Sequence, residues 1–319
     1  MIVLANRASA ILYNLLRSAG DPRPFLLPAN ICPIVPLTFL KAKAAFEFVD
    51  ISPRDSLLDW DEALARLSRS PGDYAGLLFA PTYGRETPVE HHFRAARSAA
   101  EHLTIIDDRC LMKPQFAEHD TIADAVLYST GPTKYVGAEF GGFGFIKEHV
   151  PYEPHELPYD PAAPARLRAA YKQAVRQRRR FHDGDGHWLD TASPDVSFDE
   201  FRRTMTARMR AMARWKQKLN DIYASGIPRR VQLPRAYQHW RFNILVPNKQ
   251  ALLDRIFAEG LFASSHYPSL DGIFSDGRSP HAQALHDQVV NLFNDKHFTA
   301  DQARAVTQIV CEHLEKEAT

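Results

Sequence analysis

The first 150 residues alternate short apolar runs with helix-patterned stretches, and that alternation leaves few folds open. Ala45-Phe-Glu-Phe-Val-Asp50, Tyr74 to Ala80, Leu103 to Asp107, Ala125 to Ser129 and Gly142 to Ile146 read as strands. Ala10, Ile11, Leu12, Leu15 and Leu16 fall at helical spacing behind Ser9, an expected N-cap. Thr87-Pro-Val-Glu90 combines an N-cap, an N1 proline and a capping-box glutamate ahead of a helix running to about Glu101. Parallel strands need crossover connections, so strand–helix–strand repeats with short links predict a layered α/β domain with a largely parallel sheet.

Beyond residue 150 the pattern changes. Prolines 151, 154, 158, 161 and 164 precede a basic helical stretch from Ala165 to Arg180. Its charges suit either a solvated helix face or a site for an anionic substrate such as a nucleotide diphosphate. Gly184 and Gly186 mark a loop, and the segment from His182 to His187 completes no known metal-ligand spacing. A long helix from Phe198 to about Ala224 follows, then a strand from Arg241 to Val246 and a helix from Lys249 to a closing Gly260. Thr299-Ala-Asp-Gln302 is a capping box for the last helix. This half reads as a smaller α+β domain. A chain of 319 residues exceeds one ordinary domain, and the expected division is 1–190 and 191–319.

Composition removes several function classes. Lys plus Arg total 39 against 38 for Asp plus Glu, so bulk charge supports neither nucleic-acid nor membrane-surface binding. No apolar run approaches the ~18 residues of a membrane span, and the N-terminus lacks the basic start of a secretion signal. Cys32, Cys110 and Cys311 form no C-x-x-C pair. A disulfide framework or structural zinc is therefore not expected, and a reducing cytoplasm is.

Three features end up at predicted strand or helix ends. Asp107-Asp108 closes one strand, Ser129-Thr-Gly-Pro-Thr-Lys134 leaves the next, and Ala8-Ser9 opens the first helix. Ligands of open α/β sheets bind beyond the carboxyl ends of the strands, so an acid and a lysine would share one crevice. A lysine amine can lose its proton and attack an aldehyde, helped by burial near cations; arginine cannot. A carboxylate can keep a pyridine nitrogen protonated, which makes the ring an electron sink. Ser129, Ser9 and the backbone N–H groups of a helix start can hold a phosphate.

With these residues the sequence resembles the DegT/DnrJ/StrS family of pyridoxal-phosphate-dependent sugar aminotransferases, almost end to end. Asn6-Arg-Ala-Ser-Ala-Ile11 is similar to the family's phosphate-binding turn, Ala45 to Ile51 to its P-x-F-V-D-I strand, and Pro81-Thr-Tyr-Gly-Arg85 to its H-x-Y-G segment. Ile105-Ile-Asp-Asp108 matches V-I-E-D, and Tyr128-Ser-Thr-Gly-Pro-Thr-Lys134 matches F-S-F-x-x-x-K. Glu139-Phe-Gly-Gly142, Ser265-His-Tyr-Pro268 and the segment from Asn291 to Gln302 resemble further family motifs.

The resemblance implies a three-layer α/β/α large domain of the pyridoxal-phosphate transferase type. It makes Lys134 the Schiff-base lysine and Asp108, rather than Asp107, the partner of the pyridine nitrogen. Ser129, Ala8 and Ser9 fall at the phosphate, and Ile31 and Cys110 beside the cofactor. Tyr83, Arg241, His266 and Tyr267 are substrate candidates, Arg241 because its fork accepts a carboxylate.

The implied reaction moves an amino group from a glutamate- or glutamine-like donor to a keto sugar, nucleotide-linked, in a cytoplasmic homodimer. Arg7 stands where the family has glycine, Ile31 where it has a stacking aromatic, and Leu111 where it has Gln or His. The N-terminal arm of the family is not part of this sequence. These departures leave open a different pyridoxal-phosphate reaction or acceptor, and a non-catalytic cofactor-binding regulator or partner subunit.

Overall fold

A computed structural model describes residues 1–181 and 186–317. Its main sheet comprises β1 (Ile2–Ala5), β2 (Phe25–Pro28), β3 (Phe46–Val49), β4 (Gly76–Phe79), β5 (Thr104–Asp108), β6 (Ala125–Ser129) and β7 (Gly142–Ile146). The spatial order is β1-β7-β6-β5-β4-β2-β3. From β3 to β6 every pairing is parallel. β7 runs antiparallel to β6, and β1 antiparallel to β7. β1 therefore points the same way as β6, and the helix that follows it starts at the carboxyl end of the parallel strands.

The pleat sends alternate residues to opposite faces. Leu27, Leu78, Ile106 and Leu127 face α1 (Ala8–Ala19) and α2 (Ile34–Ala42) in one core. Leu26, Leu77, Ile105 and Val126 pack with α3 (Trp60–Arg69) and α4 (Glu90–Ala99) in another. Strands apolar on both faces are what a sheet covered by helices on both sides requires. α5 (Ala163–Gln177) joins the first core through Leu167, Tyr171 and Ala174.

α6 (Phe198–Gly226) serves two cores. Phe201 and Met205 pack over the main sheet, while Leu219 and Tyr223 pack over a second sheet. That sheet consists of β8 (Phe242–Leu245), β9 (Ala263–Ser264) and β10 (Val289–Leu292), antiparallel in the order β8-β10-β9. α7 (Lys249–Ala258) and α9 (Ala300–Lys316) cover it. Ala282 of α8 (Pro280–Gln288) returns to the first core. The architecture is the expected one: a three-layer α/β/α body with a smaller α+β part.

Local expectations divide. The capping box at Thr299 forms, with the Gln302 N–H donating to Thr299 Oγ1 at 3.2 Å and the Thr299 N–H donating to Gln302 Oε1 at 2.8 Å. The box at Thr87 does not form. α4 starts later, behind Val89, because Glu90 accepts instead from Thr121 Oγ1 at 2.6 Å and from the Ile122 N–H at 2.9 Å. α1 begins one residue before Ser9, and its N-cap Arg7 provides no side-chain cap bond. Arg166, Arg176 and Arg178 to Arg180 are exposed, as a solvated face requires. Of the His182–His187 segment, residues 182–185 lie outside the described ones. Among the described residues, no helix is long and apolar enough to cross a membrane, and no cluster of His, Cys, Asp and Glu could hold a metal.

Candidate active site

A cavity of about 660 Å³ opens at the carboxyl ends of the parallel strands. Strand parity decides which acid reaches it. Asp108 shares its face with Ile106, on the α1 side, and lines the cavity. Asp107 shares the opposite face with Ile105 and is 1% exposed. There Asp107 Oδ2 accepts from Arg109 Nε at 2.7 Å, while among the described residues Oδ1 has no partner. Burial outweighs Arg109 and pushes the Asp107 carboxyl up to about 6. Asp108 Oδ1 accepts the Cys110 N–H at 2.9 Å.

Ser129 has the parity of Leu127 and so enters the same cavity. The loop after it is tied at its base. The Thr130 N–H donates to the Gly141 carbonyl, and the Ala138 N–H to the Thr130 carbonyl, both at 2.8 Å. The Lys134 N–H donates to the Gly131 carbonyl at 3.0 Å, and Lys134 is a half-buried wall residue.

Burial works to lower the Lys134 amine, but Cys32, Cys110 and Asp108 more than offset it, so it lies above a lysine's ordinary value. Burial, then Asp108, holds the Cys110 thiol well above its own ordinary value. The expectation of an amine depressed by cations is not met, because the groups that act on it are Cys32 first, then Cys110 and Asp108, and none is a cation.

Arg7, Ala8 and Ser9 line the cavity as well. Among the described residues, no acceptor meets the N–H groups of Ala8 and Ser9, which are orphan donors of an uncapped helix start. Gly142 is what lets this helix end sit against β7: a Cβ there would lie 2.0 Å from the Ala8 nitrogen. An anion at this end would meet free N–H groups, the Ser129 hydroxyl and the helix dipole.

The remaining candidates separate. Ile31, Cys110, Tyr83 and Tyr267 line the cavity; Arg241 and His266 do not. Tyr83 is 1% exposed at φ 54°, a left-handed conformation rare for a bulky residue. Its ring lies nearly parallel to Trp240, with centroids 6.3 Å apart, and Trp240 in turn lies 6.2 Å from Tyr267. Arg241 is spent on Asp295, at 2.7 Å, and its guanidinium sits 3.5 Å from the centre of the Phe293 ring. No free fork faces the cavity from it. Sequence reasoning passed over Trp240, Cys32 and Trp188; Arg168 belongs to the basic stretch that it left open between a solvated face and an anion site. Cys32, Trp188 and Arg168 line the cavity, and Trp240 Nε1 donates to the Thr133 carbonyl at 2.7 Å.

His266 packs behind this aromatic stack, 5.8 Å from Trp240. Burial, then Arg241, pulls its imidazole down to about 4. Burial, then Lys249, brings His286 to about 4 as well. Both stay neutral in the folded chain at pH 6 and gain protons on unfolding, since the ordinary value is about 6.5. The unfolded state then binds more protons, so stability is expected to fall as pH drops from about 6.5 towards 4, by at most about 3 kcal/mol per histidine. Urea unfolding at about pH 7 and pH 5 checks this, and a midpoint that rises on acidification contradicts it.

No protein-family model matches the chain, and no curated protein matches it by sequence. Solved structures do match. A protein from Streptococcus pneumoniae assigned as a sugar aminotransferase, in its PMP-form, is 15% identical with a TM-score of 0.72, covering 99% of this chain and 88% of the other. DesI, determined in the presence of its TDP-sugar product, is 17% identical with a TM-score of 0.69, covering 97% and 79%. A DegT DnrJ EryC1 StrS aminotransferase from Brucella abortus is 12% identical with a TM-score of 0.66, covering 98% and 85%. Likeness at these identities is likeness of fold. The chain has the fold of the DegT/DnrJ/EryC1/StrS aminotransferases, as its motifs implied.

Proposed function

We propose that the chain is a pyridoxal-phosphate-dependent aminotransferase, with an amino acid as donor and a keto sugar, nucleotide-linked, as acceptor. The carrying observation is the convergence of Lys134, Asp108, Ser129 and the uncapped start of α1 on one cavity. The donor set fits the cofactor part by part. Orphan N–H groups and Ser129 suit its phosphate, the Asp108 carboxyl in the cavity lining suits its ring nitrogen, and the Lys134 amine suits its aldehyde. The solved relatives, among them a PMP-form and a structure with a TDP-sugar product, support the reading.

Bound there, the cofactor would supply an aldehyde that captures amines and a ring that withdraws electrons from the adjoining carbon. The protein's own groups do the rest. Asp108 would keep the ring nitrogen protonated. Lys134, once free, would take the proton from the donor's α-carbon and deliver it to the cofactor carbon on the other side of the shared nitrogen. Tyr83 and Tyr267 wall the reacting end and narrow its access to water. Arg168 and Arg7, also in the lining, are the cations left for an anionic substrate. We place the protein in the cytoplasm as a homodimer, the commonest symmetric assembly, with 1–190 and 191–319 as its domains and α6 bridging them.

L-glutamate tests the reaction class. Added to the cofactor-loaded chain, it is expected to remove the visible band and release 2-oxoglutarate in equal amount. A loaded chain whose band survives glutamate, glutamine and other amino acids would overturn the aminotransferase reading. Retained cofactor with no amino-donor chemistry would favour the regulator.

A further inference from the structure

Lys216 is a buried amine in the middle of α6, outside the cavity and 4% exposed. Its Nζ donates to the Trp240 carbonyl and to Asn294 Oδ1, both at 2.8 Å. It also lies over the Tyr135 ring, 5.3 Å from its centre. Trp240 carries the contact onward, since its indole N–H donates to the Thr133 carbonyl at 2.7 Å. Lys216 thus grips both chain neighbours of Lys134: Tyr135 directly and Thr133 through Trp240. We propose that Lys216 is a positioning residue for Lys134, which it holds towards Asp108 by fixing Trp240 and Tyr135.

A buried lysine is a costly way to fill space, because an apolar side chain of similar length would avoid the desolvation. The groups around it are Arg241 ahead of β8, Asp295 after β10 and Tyr135 on the Lys134 loop. Burial first and Arg241 second bring its amine down to about 7. Charged or neutral, the amine keeps at least two N–H donors, enough for both of its acceptors. The Trp240 ring also lies nearly parallel to those of Tyr83 and Tyr267, with centroids 6.3 and 6.2 Å away.

The inference rests on Lys134 being the reactive amine of the proposed function, but its test needs no cofactor. Trace acetic anhydride labels amines according to their exposure and proton state. Peptide mass mapping then gives the labelling rate of Lys134 in the full chain without cofactor, at about pH 8. Lys216→Met removes both donors at similar length. Trp240→Phe removes the indole N–H and keeps a ring. Each is expected to raise Lys134 labelling by about threefold or more, and the double variant to go no further than the larger single, as one shared chain of contacts requires.

Lys134 labelling within about twofold of wild type in Lys216→Met, despite a lowered melting temperature, would overturn the proposal and leave Lys216 a packing residue. Effects that multiply in the double variant would overturn it as well. If Lys216→Met fails to fold, Trp240→Phe decides alone: unchanged Lys134 labelling sinks the inference. Failure of the wild-type chain to take up pyridoxal phosphate would sink the proposed function instead, and the two results are distinguishable.

Discussion

Lys134→Ala is expected to lower turnover by at least about four orders of magnitude, while the chain stays folded and still binds pyridoxal phosphate weakly. The reason is geometric. Lys134 lines the cavity beside Asp108, whereas the orphan N–H groups of α1 and the Ser129 hydroxyl belong to other elements and survive the substitution. Proton state alone would choose differently, because Lys216, at about 7, is the more readily deprotonated amine. Lys216 does not line the cavity, and both of its acceptors are protein groups. Turnover within about tenfold of wild type in Lys134→Ala would remove the assigned role.

The two adjacent aspartates are expected to part company. Asp108→Asn should cost about 10²–10⁴-fold in turnover with little change in stability, since an amide cannot keep a ring nitrogen protonated. Asp107 has no route to the cavity, and its carboxylate is neutralised by Arg109 in the second core. Arg109→Met strands that carboxylate and is expected to cost about 3–5 kcal/mol of stability, the usual penalty for breaking a buried pair. Cofactor affinity, measured on the fraction that remains folded, should stay near wild type. The reverse pattern would mean that β5 presents its faces the other way round.

Much of this was legible in the sequence, and the reasons differ by element. β3 to β7 each carry a compact apolar run, while the choice of Asp108 over Asp107 rests on the motif resemblance. β1 and β2 were not read as strands: β1 is four residues at the terminus, and β2 ends in Pro28. β9, of two residues, carries no period at all. At the site, Lys134, Asp108, Ser129 and Ala8-Ser9 came from local motifs, so the sequence held them.

Arg241 was misplaced because its partner, Asp295, lies 54 positions away, and nothing local shows that the charge is spent. Trp240 and Lys216 were invisible for a similar reason. Their contacts to the Lys134 loop come from the smaller sheet and from α6, brought over by tertiary packing.

Borohydride reduction of the full-length chain after incubation with pyridoxal phosphate, followed by peptide mass mapping, tests the central claim most directly. The account predicts one pyridoxyl label, on Lys134, with the protein yellow before reduction. A colourless protein, or a label on Lys216 or scattered over surface lysines with Lys134 unmodified, would contradict it.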